Sequence, residues 1–223
     1  RAGDATVRDP ERFEAAHIME HMACGANAQH NSMQEVSRYI EKNGAYSNAF
    51  TGRDYLGYER VCPDFDWERI LEQLVIQVTT PKFLEKEFKA EVGNVEEEMQ
   101  FRSNDKWTEL TKVMGSKFGF KYSDTYPERL EKMKAVRISD IREHYARTHS
   151  AKNAVFFVAG NIGTNKKKII GILEGMADLP DASRFKLCDY PVVRSFPKPV
   201  VIRKEDVPNI YLYCELFAFD KSY

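Results

Sequence analysis

His17, Glu20 and His21 stand together in the run "FEAAHIMEHMACG", in a chain that has only five histidines among 223 residues. Residues four apart on a helix share a face, so the two imidazoles lie side by side at a spacing that can grip one metal ion. Glu20 adjoins them. Two histidines are half of the donor set of a catalytic zinc site, in which a third protein ligand completes the grip and a fourth position stays open. A water held there becomes acidic, near pKa ~7, and a neighbouring carboxylate can take its proton. That apparatus hydrolyses peptide bonds. Histidine pairs on helices are also common as solvated surface residues, but this fixed order of His, Glu and His in a histidine-poor chain weighs toward the metal.

A third ligand has two candidates. Cys24 follows His21 by three residues and shares its helical face, and a thiolate binds zinc well. Farther along, Glu91 and Glu98 in "EVGNVEEEM" are two helical turns apart and point the same way from their helix. Clustered glutamates usually mark a solvated acidic face. Spacing alone leaves Cys24 and Glu98 both open.

The elements that must position these residues are mostly helical. Phe13, Ala16, Ile18 and Met22 give an apolar stripe for a helix over about 11–24, ended by the small residues of "ACGANA". Ser32 followed by Glu35 makes a capping box for a second helix, which "KNG" stops. "AYSNAFT" and "YLGYERV" are rich in aromatic and β-branched residues and flank "GRD", so they form a hairpin. Helical spacing returns over 66–78 and 82–103, then near 127–134 and 139–149. "NAVFFVAGN" reads as a fully buried strand, and Thr164 as the cap of a helix over 164–178. The fold class is α+β, a mostly antiparallel sheet with helices packed on it. Residues 1–184 form one domain, the two-proline stretch 185–199 a linker, and the strand-like residues from Val200 to 223 the start of a second domain.

Composition excludes several functions. Acidic and basic residues number 34 and 33 and are interspersed, which leaves no basic stripe for nucleic acid. No apolar run approaches the ~20 residues of a membrane span. The four cysteines are scattered with no CxxC, so neither a disulfide scaffold nor a four-thiolate zinc site is expected. His30, His144 and His149 read as loop, surface or packing residues, and Trp67 and Trp107 as core or interface.

"HIMEH" is the inverted zinc motif H-x-x-E-H. Together with "AEVGNVEEEMQ", "YSNAFTGRDYLGYE" and "ISDIREHYARTHSAKNAVFFVAGNI" it resembles the pitrilysin family of metallopeptidases, the inverzincins, to which insulin-degrading enzyme and the mitochondrial processing peptidase belong. The resemblance covers roughly residues 10–180. It implies a zinc-dependent endopeptidase in which His17, His21 and Glu98 hold Zn2+ and Glu20 is the general base. Glu91 would orient a ligating histidine, leaving Cys24 a bystander. It also implies that the strand containing Ser47, Asn48 and Ala49 pairs its backbone with an extended peptide substrate. Two departures stand out: the glycine expected shortly before the first histidine is missing from "FEAA", and "ACGANAQ" replaces the family's F-x-G-T. The family further implies strands ahead of the zinc helix, for which 16 residues leave little room, and a second, repeated half that closes a chamber. The chain is therefore read as a piece of a longer protein or as a subunit that needs a partner. A non-catalytic structural or regulatory subunit of the same family is the alternative, although all five expected site positions are filled.

Overall fold

A computed structural model describes residues 1–103 and 126–179. The expected linker 185–199, the strands from Val200 to 223, Trp107, Cys188 and Cys214 lie outside the described residues. In chain order the elements are α1 (Ala15–Ala23), α2 (Met33–Lys42), the strands β1 (Tyr46–Thr51) and β2 (Leu56–Val61), then α3 (Trp67–Thr79), α4 (Glu85–Ser103), α5 (Tyr126–Met133), α6 (Ile138–Thr148) and α7 (Lys166–Leu173). This is the expected α+β class, and the sheet of the described residues is one antiparallel pair.

Helix α1 is central. Ala15, Ala16, Ile18, Met19, Met22 and Ala23 are all buried, and the helix contacts α4, α6 and β1. Ile18, Met19 and Met22 join Val95 and Met99 of α4, Met133 of α5 and Ile141 of α6 in the main core. Burying each such side chain contributes about 1.5–3 kcal/mol. A nine-residue helix so enclosed has no room for idle charge, yet it carries His17, Glu20 and His21.

The connections follow local chemistry. Ser32 Oγ accepts a hydrogen bond from Glu35 N at 3.2 Å, which is the expected cap of α2. Glu35 completes the turn by accepting from Asn31 N instead of Ser32 N. Gly44, at φ 65°, occupies the left-handed conformation that ends α2 and that other residues adopt only with strain. β1 and β2 pair with Ser47 opposite Arg60, Ala49 opposite Tyr58 and Phe50 opposite Gly57. A Cβ at Gly57 would lie 2.3 Å from the Phe50 ring, so the bare glycine lets that ring cross the strand.

Two expectations are corrected. "NAVFFVAGN" is not a buried strand: a 3-10 turn covers Ala151–Asn153, the residues after it pair with no described strand, and Val155 and Phe157 are exposed. Burial alternates along Phe156, Phe157 and Val158, the period of a strand, but β propensity becomes a strand only where a neighbour takes the backbone hydrogen bonds. Thr164 does not cap a helix over 164–178. It lies inside a 3-10 turn, Gly163–Asn165, and α7 starts at Lys166 without a side-chain cap, its first turn carrying three lysines that oppose the helix dipole.

His144 and His149 pack α6 into the interior. His144 Nε2–H donates to Ala2 O at 2.9 Å, and the His149 ring stacks on Tyr145 with its nitrogens 3.1 Å from the Thr148 and Tyr58 hydroxyls. Burial holds His144 down at about 4 and His149 at about 3. Unfolded histidines take a proton near pH ~6.5, so this packing is fully stabilising above that pH and is lost as pH falls toward 4. Asp4, whose carboxyl burial pushes up to about 7, acts in the opposite sense over the same range. The melting temperature should therefore drop between about pH 7 and about pH 5, and His149→Gln should show a smaller drop. An equal drop in both proteins would remove His149 from the account.

Candidate metal centre

α1 and α4 lie side by side, and their facing residues bring three donors together. The ligand atoms of His17, His21 and Glu98 all lie within 4.8 Å of one another. Glu98 Oε2 is 3.4 Å from His17 Nε2 and 3.5 Å from His21 Nε2. Tetrahedral zinc with bonds of ~2.0–2.2 Å separates its ligands by ~3.3–3.6 Å, which the two Glu98 distances match. Two imidazoles and one carboxylate are also a donor set that zinc accepts while keeping a fourth position open.

Around this triad each polar group has an assigned neighbour. His21 Nδ1 lies 3.1 Å from Glu91 Oε2, placed to donate its proton, and Asn94 Nδ2 donates to the same oxygen at 3.1 Å. The other Glu98 oxygen pairs with Arg102 one turn along α4. Glu20 is buried beside the histidines, and Thr51 Oγ1, at the end of β1, donates to its Oε2 at 2.9 Å. The Nδ1 of His17 faces Glu14 Oε2 at 3.7 Å.

The electrostatics separate the carboxylates. The hydrogen bond from His17 holds Glu98 down at about 2, against the effect of partial burial. Burial opposes ionisation of Glu91 and Glu14, but hydrogen bonds from His21 and Asn94 at the one, and the nearby His17 ring and the Arg129 guanidinium at the other, keep both low. Burial likewise works against a charged His17, and the carboxylates of Glu14 and Glu98 outweigh it and raise it to about 9. Glu20 alone among these acids is pushed upward, by burial, although His21, His17 and Thr51 resist. The pocket favours positive charge at its centre and leaves one carboxylate readier than the rest to take a proton.

The site opens into a cavity of about 220 Å³ bordered by Ala49, Phe50 and Thr51 of β1. Of the three expected strand residues, Ala49 borders that cavity, whereas Ser47 and Asn48 lie exposed farther along β1. Cys24 is not in the cluster. It ends α1, and its Sγ accepts from Gln77 Nε2 at 3.4 Å. The sequence reading missed Thr51, Glu14, Arg129 and Glu87. Glu87 accepts from Ala26 N at 3.3 Å and from Met33 N at 3.0 Å, which ties the loop after α1 to α4. Only Glu14 had a local signal, its position three residues before His17 on a helical face; the others are brought in by tertiary packing.

The profile of the insulinase family, peptidase family M16, matches residues 11–121, a span that contains the whole cluster. The chain belongs to the M16 peptidases. Solved structures with the same fold include a protease from Helicobacter pylori, 19% identical over 85% of this chain and 45% of its own, with a TM-score of 0.66. The periplasmic protease PqqL from Escherichia coli is 20% identical over 85% of this chain and 22% of its own, with a TM-score of 0.72. The ferredoxin protease FusC, solved in complex with Arabidopsis ferredoxin, is 19% identical over 85% of this chain and 21% of its own, with a TM-score of 0.69. This M16 chain thus spans less than half the length of each of these proteases. No curated protein sequence matches it. No described helix is long and apolar enough to cross a membrane.

Proposed function

We propose that this M16 chain is the metal-holding half of a zinc-dependent endopeptidase that cleaves extended peptides. The convergence of His17, His21 and Glu98, with Glu20 beside them, carries the reading. Zinc would polarise the scissile carbonyl and acidify the attacking water. Glu20 takes the proton of that water and passes it toward the leaving amine, its carboxylate held by the Thr51 hydroxyl. Glu91 accepts from His21 Nδ1–H and so turns Nε2 toward Glu98. β1, paired only with β2 among the described residues, offers its other edge to the peptide backbone, with Ala49, Phe50 and Thr51 nearest the reacting bond. A non-catalytic subunit would have no need of a polarised base beside an intact ligand set.

The residues here grip one side of a substrate. Rate enhancement from holding a peptide in attack geometry can reach ~7–11 kcal/mol, and an open site retains water that weakens its electrostatics. A second metallopeptidase-like half, on the same chain or on a homologous subunit, is the proposed partner that closes the site. Purified alone, the 223-residue chain should bind zinc yet turn over a fluorogenic peptide slowly, with chelator-sensitive turnover rising when the second half is supplied. Fast, chelator-insensitive cleavage by the chain alone would defeat the proposal.

A further inference from the structure

Both imidazoles of the cluster direct Nε2 toward Glu98, so each turns Nδ1 away from it. A histidine that ligates through Nε2 needs Nδ1–H held by an acceptor, which sets the tautomer and the ring orientation. His21 has Glu91 from α4 in that place. His17 has Glu14, the residue just before α1, with Oε2 at 3.7 Å from Nδ1.

Glu14 is an unusual residue to find there. It is only 1% exposed, and although it stands at the start of α1 its side chain caps no backbone N–H of that helix. Its other oxygen, Oε1, accepts from Arg129 through Nε and Nη2, both at 2.5 Å. The Arg129 guanidinium sits over the rings of Phe13 and Tyr126, with centroids at 5.2 and 5.7 Å. α5 therefore fixes an arginine, the arginine fixes one oxygen of a buried carboxylate, and the second oxygen is left facing His17. Nothing in the packing of α1 requires a charge at this position, since the neighbouring residues Phe13, Ala15 and Ala16 are apolar and fully buried.

We propose that Glu14, held by Arg129, is the positioning residue for His17, accepting from its Nδ1–H so that Nε2 stays presented to the metal. The inference rests on the zinc reading given above and deepens it: each ligating histidine has its own carboxylate, one from α4 and one from the entry to α1. At 3.7 Å the contact is electrostatic, and it shortens to a hydrogen bond when the imidazole commits its Nε2.

The test uses the full 223-residue chain and zinc itself. Chelator-competition titrations compare the unsubstituted protein with Glu14→Gln, Glu91→Gln and the double variant Glu14→Gln/Arg129→Gln. Proton–nitrogen NMR of the zinc-loaded proteins reads the histidine ring N–H signals. Glu14→Gln should weaken zinc binding by ~10–100-fold and move the His17 Nδ1–H resonance upfield, while the His21 signal stays in place. Because Glu14→Gln strands a partly buried guanidinium and could unfold the chain, the double variant removes that charge, and the same loss and the same shift should persist in it. Wild-type affinity with an unmoved His17 signal in either folded variant overturns the proposal. If Glu91→Gln weakens zinc binding and Glu14→Gln does not, only the role of Glu14 fails. If the unsubstituted chain binds no zinc, the parent reading fails and this one with it.

Discussion

Glu20→Gln is expected to lower peptide cleavage by ~10²–10⁴-fold or more while leaving zinc bound. Glutamine matches glutamate in shape and can still accept from Thr51 Oγ1, so this buried position on α1 should tolerate it. What it lacks is basicity. Among the carboxylates around the histidines, Glu14, Glu91 and Glu98 are held low by the imidazoles and other polar groups that face them, and Glu20 is the one in which burial prevails. It also stays outside the triad whose ligand atoms converge. Loss of turnover with full zinc occupancy is the expected pair of results, read by peptide assay and metal analysis on one preparation. Loss of zinc together with activity would make Glu20 a ligand.

The second large effect concerns the third donor. Glu98→Gln should weaken zinc binding by more than ~100-fold, beyond what loss of a partner behind a ligand does, because it removes the only anion of the triad. Cys24→Ser should change affinity little. Its sulfur lies outside the cluster of converging ligand atoms and already accepts from Gln77, and burial pushes the metal-free thiol up to about 12. Chelator competition ranks the two variants directly. The reverse ranking would describe a site of two histidines and a cysteine and would undo the assignment of α4.

How far the site was legible in the sequence depends on how local its determinants are. His17, Glu20 and His21 lie within two turns of one helix, and Glu91 and Glu98 are two turns apart on another, so 3.6-residue periodicity was enough to group them. The choice between Cys24 and Glu98 was not local. Spacing put both within reach, and only the packing of α1 on α4 brings Glu98 to the imidazoles and leaves Cys24 at a helix end. The hairpin was readable because aromatic and β-branched residues flank a turn, whereas Thr51 meets Glu20 only through its register with Leu56 and the seating of β1 on α1. Arg129 comes from a helix more than a hundred residues along the chain, and no pattern in "YPERLEKM" announces a partner for Glu14. The apolar run after Asn153 failed in the other direction, since its composition promised a strand and the described residues supply no neighbouring ladder.

Zinc K-edge absorption of the zinc-loaded chain tests the central claim most directly, because it counts the donors around the ion. His17, His21 and Glu98 predict one zinc per chain, with two imidazoles and otherwise oxygen neighbours at ~2.0–2.2 Å. A sulfur neighbour at ~2.3 Å, or a chain that takes up no zinc, would contradict the account.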